Sequence, residues 1–97
     1  IAHGLLTLSL LPYFSEQVAW TPLPKMSVNY GYNRVRFAAP LPAGSKVRSR
    51  MTLDSVEERD DGGLTVIVTH KVEREGALLE EGGRPIVVAE SVGLLYY

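Results

Sequence analysis

The chain contains no cysteine, and this absence excludes a disulfide framework, a thiolate nucleophile and cysteine-ligated metal from its chemistry. It fits a reducing compartment, so a cytoplasmic location is expected. Histidine is nearly as scarce. The two in the chain, His3 and His70, stand far apart and show no ligand spacing, so no metal is expected. Charge of one sign is also missing: ten basic and eleven acidic side chains leave a formal net charge of -1. No cationic field is then available for nucleic acid or an anionic membrane surface, and neither is an expected partner. Nor is there a long apolar run. Gly4 to Leu11 is too short to span a bilayer and lacks the positive flank and small-residue cleavage site of a signal peptide.

What is present is one small domain's worth of chain, residues 1–97, with 45% hydrophobic content. A domain of this size leaves much apolar surface in water, so association into a homodimer is expected. Leu5, Leu6, Leu8, Leu10, Leu11, Phe14 and Val18 surround nearly the whole circumference of a helix, a pattern that predicts a helix enclosed by other elements. Pro12 removes an intrahelical hydrogen bond and predicts a bend or break between Leu8 and Pro12. Thr21-Pro22-Leu23-Pro24 then forms a turn.

From Lys25 the apolar period changes to two, with Met26, Val28, Tyr30 and Tyr32 in one phase and Val35 and Phe37 in the other. A slip of this kind around Gly31 to Arg34 marks either a β-bulge or an ordinary twisted edge. Pro40, Pro42 and Gly44 make a turn, after which Val47, Ser49, Met51 and Leu53 alternate with polar residues as a half-solvated strand. Asp60-Asp61-Gly62-Gly63 supplies a hairpin, and Leu64, Val66, Val68, His70 and Val72 line one face of the next strand. Glu80-Glu81-Gly82-Gly83 repeats the turn chemistry. Ile86-Val87-Val88-Ala89, apolar on both faces, reads as a central strand. The order predicts an α+β fold in which an antiparallel sheet wraps around a central buried helix.

The stretch Ile1-Ala2-His3-Gly4-Leu5-Leu6-Thr7-Leu8 carries the chemistry, because a small His-Gly step opens an apolar helix. Backbone N–H groups at such a start hold an oxyanion, which makes Gly4 a candidate donor; close packing at a helix start is the alternative reading.

This stretch, with Asn29-Tyr30-Gly31-Tyr32-Asn33-Arg34-Val35-Arg36-Phe37 and Phe37-Ala38-Ala39-Pro40-Leu41-Pro42-Ala43-Gly44-Ser45, resembles the MaoC-like, NodN-type dehydratases, hot-dog domains related to (R)-specific enoyl-CoA hydratases. The last segment is similar to the family's Phe-x-x-Pro-Val-x-x-Gly-Asp turn, with Ser45 where Asp is usual. The resemblance implies a hot-dog fold and reversible hydration of a 2-enoyl-CoA thioester, with coenzyme A entering as part of the substrate and no separate cofactor. It implies that the Gly4 amide meets the thioester oxygen and that His3 sits beside the pocket. Tyr30 and Asn33 become candidates for bonding the thioester or pantetheine amides, sheet hydrogen bonding being the alternative. Arg36, with Arg34, Lys46, Arg48 and Arg50, becomes a candidate for the phosphates of coenzyme A, a solvated strand face being the alternative. The family's catalytic pair lies in an Asp-x-x-x-x-His motif ahead of the His-Gly helix. No such spacing occurs here, since Thr65 stands five residues before His70, and a preceding segment carrying the pair is expected outside the chain. A non-catalytic acyl-thioester binding module and an acyl-CoA thioesterase are the other functions this fold admits.

Overall fold

The computed structural model describes residues 4–16 and 23–97. Two short helices, α1 (Gly4–Ser9) and α2 (Leu11–Glu16), precede four antiparallel strands: β1 (Met26–Phe37), β2 (Val47–Glu58), β3 (Leu64–Arg74) and β4 (Val87–Tyr96). The strands lie in the order β1-β4-β3-β2, so β4 is central, as the two-sided apolar run of Val87 to Ala89 requires. This is the α+β arrangement of a hot-dog domain, with helices against one face of an antiparallel sheet.

The helix breaks where proline demands it. Leu10 N donates to Thr7 O, a tightened final turn for α1, and Pro12 falls in the first turn of α2, where its missing N–H costs least. Ser9 Oγ donates to Leu6 O at 2.6 Å and helps close α1.

The phase slip in β1 is a pair of bulges. Pairing with β4 shifts between Asn29 and Gly31 and again between Tyr32 and Arg34, which leaves Tyr30 and Asn33 as the residues skipped. Gly31 takes φ 153° at the first shift, a conformation that disfavours any side chain. The β2–β3 hairpin turns through Gly62 at φ 87°, and Gly63 N donates to Asp61 Oδ1 at 3.0 Å. After β1, Ser45 Oγ donates to Pro42 O at 2.6 Å and closes the next turn. An aspartate carboxylate has no proton to make that bond, so serine here stabilises the turn by a different contact from the one an aspartate makes.

The core joins Leu11, Leu41, Val72, Ile86, Val87 and Ala89, with Leu8, Phe14, Tyr32, Val35, Ala39 and Val47 packed against it. Leu11 and Thr7 are buried at 1% exposure, whereas Leu5 is 60% exposed and Leu6 59%. The expectation of a helix enclosed on all sides is therefore corrected. Among the described residues one sheet covers one side, and apolar periodicity does not reveal that Leu5 and Leu6 on the other side stay largely exposed. The part of the helical pattern at Val18 and the turn at Thr21-Pro22 lie outside the described residues.

Candidate functional site

Gly4 opens α1 beside the end of β1, and the two elements meet at one contact. A Cβ on residue 4 would lie 2.8 Å from Cδ1 of Phe37 and 3.0 Å from Cε1, so only glycine lets the aromatic ring rest against the helix start. Immediately beside this contact is a cleft of about 290 Å³, walled by Gly4, Thr7, Phe37, the Ala38–Leu41 turn, Ile86 and Val87. Its lining is apolar apart from Thr7 and the backbone.

The inner wall is held by main-chain bonds. Ile86 N donates to Val72 O at 2.7 Å, and Ile86 O accepts from Ala38 N at 2.9 Å. Leu41, Ile86 and Val87 are buried in the core cluster. Phe37 is different: it ends β1 opposite Val87 and is 51% exposed.

The structure brings Gly4 to this cleft and leaves the other expected positions elsewhere on the chain. His3 lies outside the described residues. Tyr30 is 68% exposed on a bulge of β1; at roughly 3.3 Å per residue the strand carries it on the order of 20 Å from Phe37. Asn33, at the second bulge, donates from Nδ2 to Glu90 Oε1 at 2.9 Å. Arg36 adjoins Phe37 but pairs with Val88, on the opposite face of the sheet.

Arg48 and Arg50 are corrected from phosphate candidates to structural partners. Both guanidinium groups bond Glu73 Oε2, Arg50 at 2.9 Å, and both reach Glu80. The Glu73 side chain is 0% exposed. Its other oxygen accepts from Leu79 N at 2.7 Å, so one carboxylate ties two strands to the 3-10 turn at Leu79–Glu81. The backbone donor first, then the two arginines, hold the Glu73 carboxyl down at about 2. Strand alternation assigns Glu73 to the polar phase and gives no sign of its burial. The charged cluster Arg48, Arg50 and Glu80 is the signal that points to it.

His70 is a core residue, as its phase suggests. At 1% exposure it lies between Ser49 Oγ, 3.3 Å from Nδ1, and Ser91 Oγ, 3.1 Å from Nε2. Ser91 spends its own proton on Val68 O, so Nε2 carries hydrogen and Nδ1 accepts from Ser49. Burial depresses the imidazole's proton affinity. Among the described residues the ring's hydrogen-bond partners are these two serines and no carboxylate, so they do not make this histidine half of an Asp–His pair. Among the described residues no group of histidine and carboxylate side chains is placed to hold a metal ion, and no helix is long and apolar enough to cross a membrane.

Comparison with known proteins gives the arrangement its context. Residues 1–75 match the family described as MaoC like domain. The chain is similar to "3-hydroxyacyl-thioester dehydratase Z" of Mycobacterium tuberculosis, 42% identical over 92 residues, covering 95% of the chain. It is also similar to "Nodulation protein N" of Rhizobium leguminosarum, 35% identical over 102 residues, and of Rhizobium meliloti, 32% identical over 105, each covering 100% of the chain. The chain spans 58% of the length of each of these relatives.

Proposed function

The chain belongs to the MaoC-like domain family, and from that premise we propose that it forms the thioester-binding part of an enzyme that reversibly hydrates 2-enoyl thioesters and dehydrates 3-hydroxyacyl thioesters. The observation that carries this reading is the cleft opening against Gly4, whose side chains other than Thr7 are apolar and whose polar surface otherwise comes from the backbone. An acyl group enters along Ala39, Leu41, Ile86 and Val87, and the thioester oxygen approaches the Gly4 amide beside the Phe37 ring. In the hydration direction water adds at the β-carbon and negative charge gathers on that oxygen. A fixed N–H donor meeting this charge is worth about 3 to 4 kcal/mol of barrier. In the reverse direction the α-proton leaves to a base, the same oxygen carries the enolate charge, and the 3-hydroxyl departs as water after taking up a proton.

The described residues of this chain bind and polarise; they do not supply the proton-transferring pair. His70, the histidine they contain, is enclosed by serines in the core. Coenzyme A is the expected carrier, with Arg36, next to Phe37 in sequence but on the other face of the sheet, as a candidate for its phosphates once the carrier has left the cleft. Association with a second copy is supported by the exposed Leu5 and Leu6 and by β1, a strand twelve residues long that is at the edge of the described sheet, next to β4. Tyr30, exposed on its bulge, then faces a neighbouring copy or a ligand rather than this chain's own cleft, while Asn33 bonds Glu90 within the sheet.

The test uses the protein expressed from its complete reading frame with crotonyl-CoA. Loss of the conjugated enoyl absorbance without release of free thiol supports hydration. Thiol release would make the protein a thioesterase, and binding without either change would make it a carrier or scaffold.

A further inference from the structure

We infer that Phe37 is the specificity-determining residue of the cleft, an aromatic wall at Gly4 whose position sets how large an acyl group is admitted. This rests on the acyl-thioester reading above and adds to it a movable boundary.

The two sides of the cleft differ in how they are held. Leu41, Ile86 and Val87 are buried in the core cluster, and Ile86 is fixed by backbone bonds to Val72 and Ala38. The backbone of Phe37 is likewise fixed, by pairing with Val87. Its ring is not: one side rests on the Cα of Gly4 while half of the side chain remains in water. Rotation about χ1 therefore meets the helix start in one direction and solvent in the other. The cleft has a rigid wall and one adjustable wall, and the adjustable one lies beside the residue expected to receive the thioester oxygen.

An exposed aromatic edge at the mouth of an apolar cleft also has an energetic reason to be covered, since an acyl chain laid along the ring removes apolar surface of both from water. A short acyl group fits between the ring and Val87 with the ring in place; a longer one has to displace it. Discrimination between acyl groups in apolar pockets runs at roughly tenfold or more per methylene, so the position of one ring is enough to set a chain-length preference.

The experiment compares wild type, Phe37→Leu and Phe37→Ala in the protein from the complete reading frame. Turnover is measured with crotonyl-CoA and 2-octenoyl-CoA, and binding with the saturated butyryl-CoA and octanoyl-CoA by calorimetry. The inference requires the octenoyl-to-crotonyl ratio of kcat/KM and the octanoyl-to-butyryl affinity ratio to rise by about tenfold in Phe37→Ala, with Phe37→Leu between. A residue that only supports the fold would lower every rate together and leave both ratios unchanged, and that result overturns the inference. If wild type turns over neither enoyl substrate but the affinity ratio shifts as stated, hydration is refuted while the role of Phe37 stands. If wild type hydrates and both ratios stay constant, hydration stands and the role of Phe37 is refuted.

Discussion

Replacing Gly4 with alanine separates a packing role from a catalytic one, because the two carry costs of different size. The new Cβ would stand 2.8 Å from Cδ1 of Phe37, whereas carbon atoms rest at about 3.5 to 4.0 Å, so the ring has to retreat by about 0.7 Å or more. Phe37 is half exposed, and moving its ring off its preferred rotamer costs about 0.5 to 1.5 kcal/mol. Alanine returns up to about 1 kcal/mol through its greater helix propensity. The two contributions cancel to within about 1 kcal/mol, and the variant stays folded. Turnover behaves differently if the Gly4 amide meets the developing oxyanion, because the added methyl group drives the Phe37 ring from its seat beside that amide and disturbs the cleft wall against which the thioester is held. Losing one such donor lowers kcat by about 10² to 10³. The assay is steady-state hydration of crotonyl-CoA alongside a urea denaturation curve on the same sample. A hundredfold loss of kcat with a nearly unmoved denaturation midpoint is expected. Unchanged kcat, or a loss that simply follows destabilisation, refutes the role given to Gly4.

Other perturbations test the frame around the cleft. Leu11→Ala, at a residue 1% exposed, is expected to cost about 2.7 to 5.0 kcal/mol, while Leu23→Ala, at a residue 78% exposed, stays within about 0.5 kcal/mol; denaturant midpoints of the two variants compare them directly. Glu73 has a folded pKa below its unfolded value, so its contribution to stability is complete above pH 4.5 and is lost as pH falls toward about 2. Urea midpoints measured across that range are expected to fall more steeply for wild type than for Glu73→Gln, which keeps an acceptor for Leu79 N but has no charge to lose. His70 is held neutral by burial, with its folded value below 6.5; stability is full above that pH and declines as pH falls through the lower folded value. Its ring protons, followed by NMR, are expected to titrate with a midpoint below 6.5.

Much of the architecture is local and therefore legible. Pro12 breaks the helix because it lacks an N–H, Gly62 turns the hairpin because it tolerates positive φ, and Ile86 to Ala89 take the centre because both phases are apolar. The slip at Gly31 to Arg34 is visible because alternation counts residues, and a skipped residue reverses the count. The remainder depends on contacts distant in sequence. Nothing in the neighbourhood of Glu73 announces a buried carboxylate; its cover comes from Arg48 and Arg50 on another strand and from the turn at Leu79 folding back. Leu5 and Leu6 satisfy a helical apolar pattern as well as Leu11 does, and only the placement of the single sheet decides which of them is enclosed. For the cleft, Gly4 was readable as a helix-start donor, but its pairing with Phe37 was not, because a missing Cβ leaves no trace of the ring that uses the space. Resemblance groups Tyr30 and Asn33 with Gly4, and the length of β1 sets Tyr30 far down the sheet.

The distance from Gly4 N to a thioester oxygen tests the central claim most directly. In a crystal of the protein from its complete reading frame grown with a 3-hydroxyacyl-CoA, the account requires that oxygen at hydrogen-bonding distance from Gly4 N, about 2.7 to 3.1 Å, with the acyl chain between Phe37 and Val87. A thioester bound elsewhere, with the Gly4 amide turned toward protein and the cleft filled only by solvent, contradicts it.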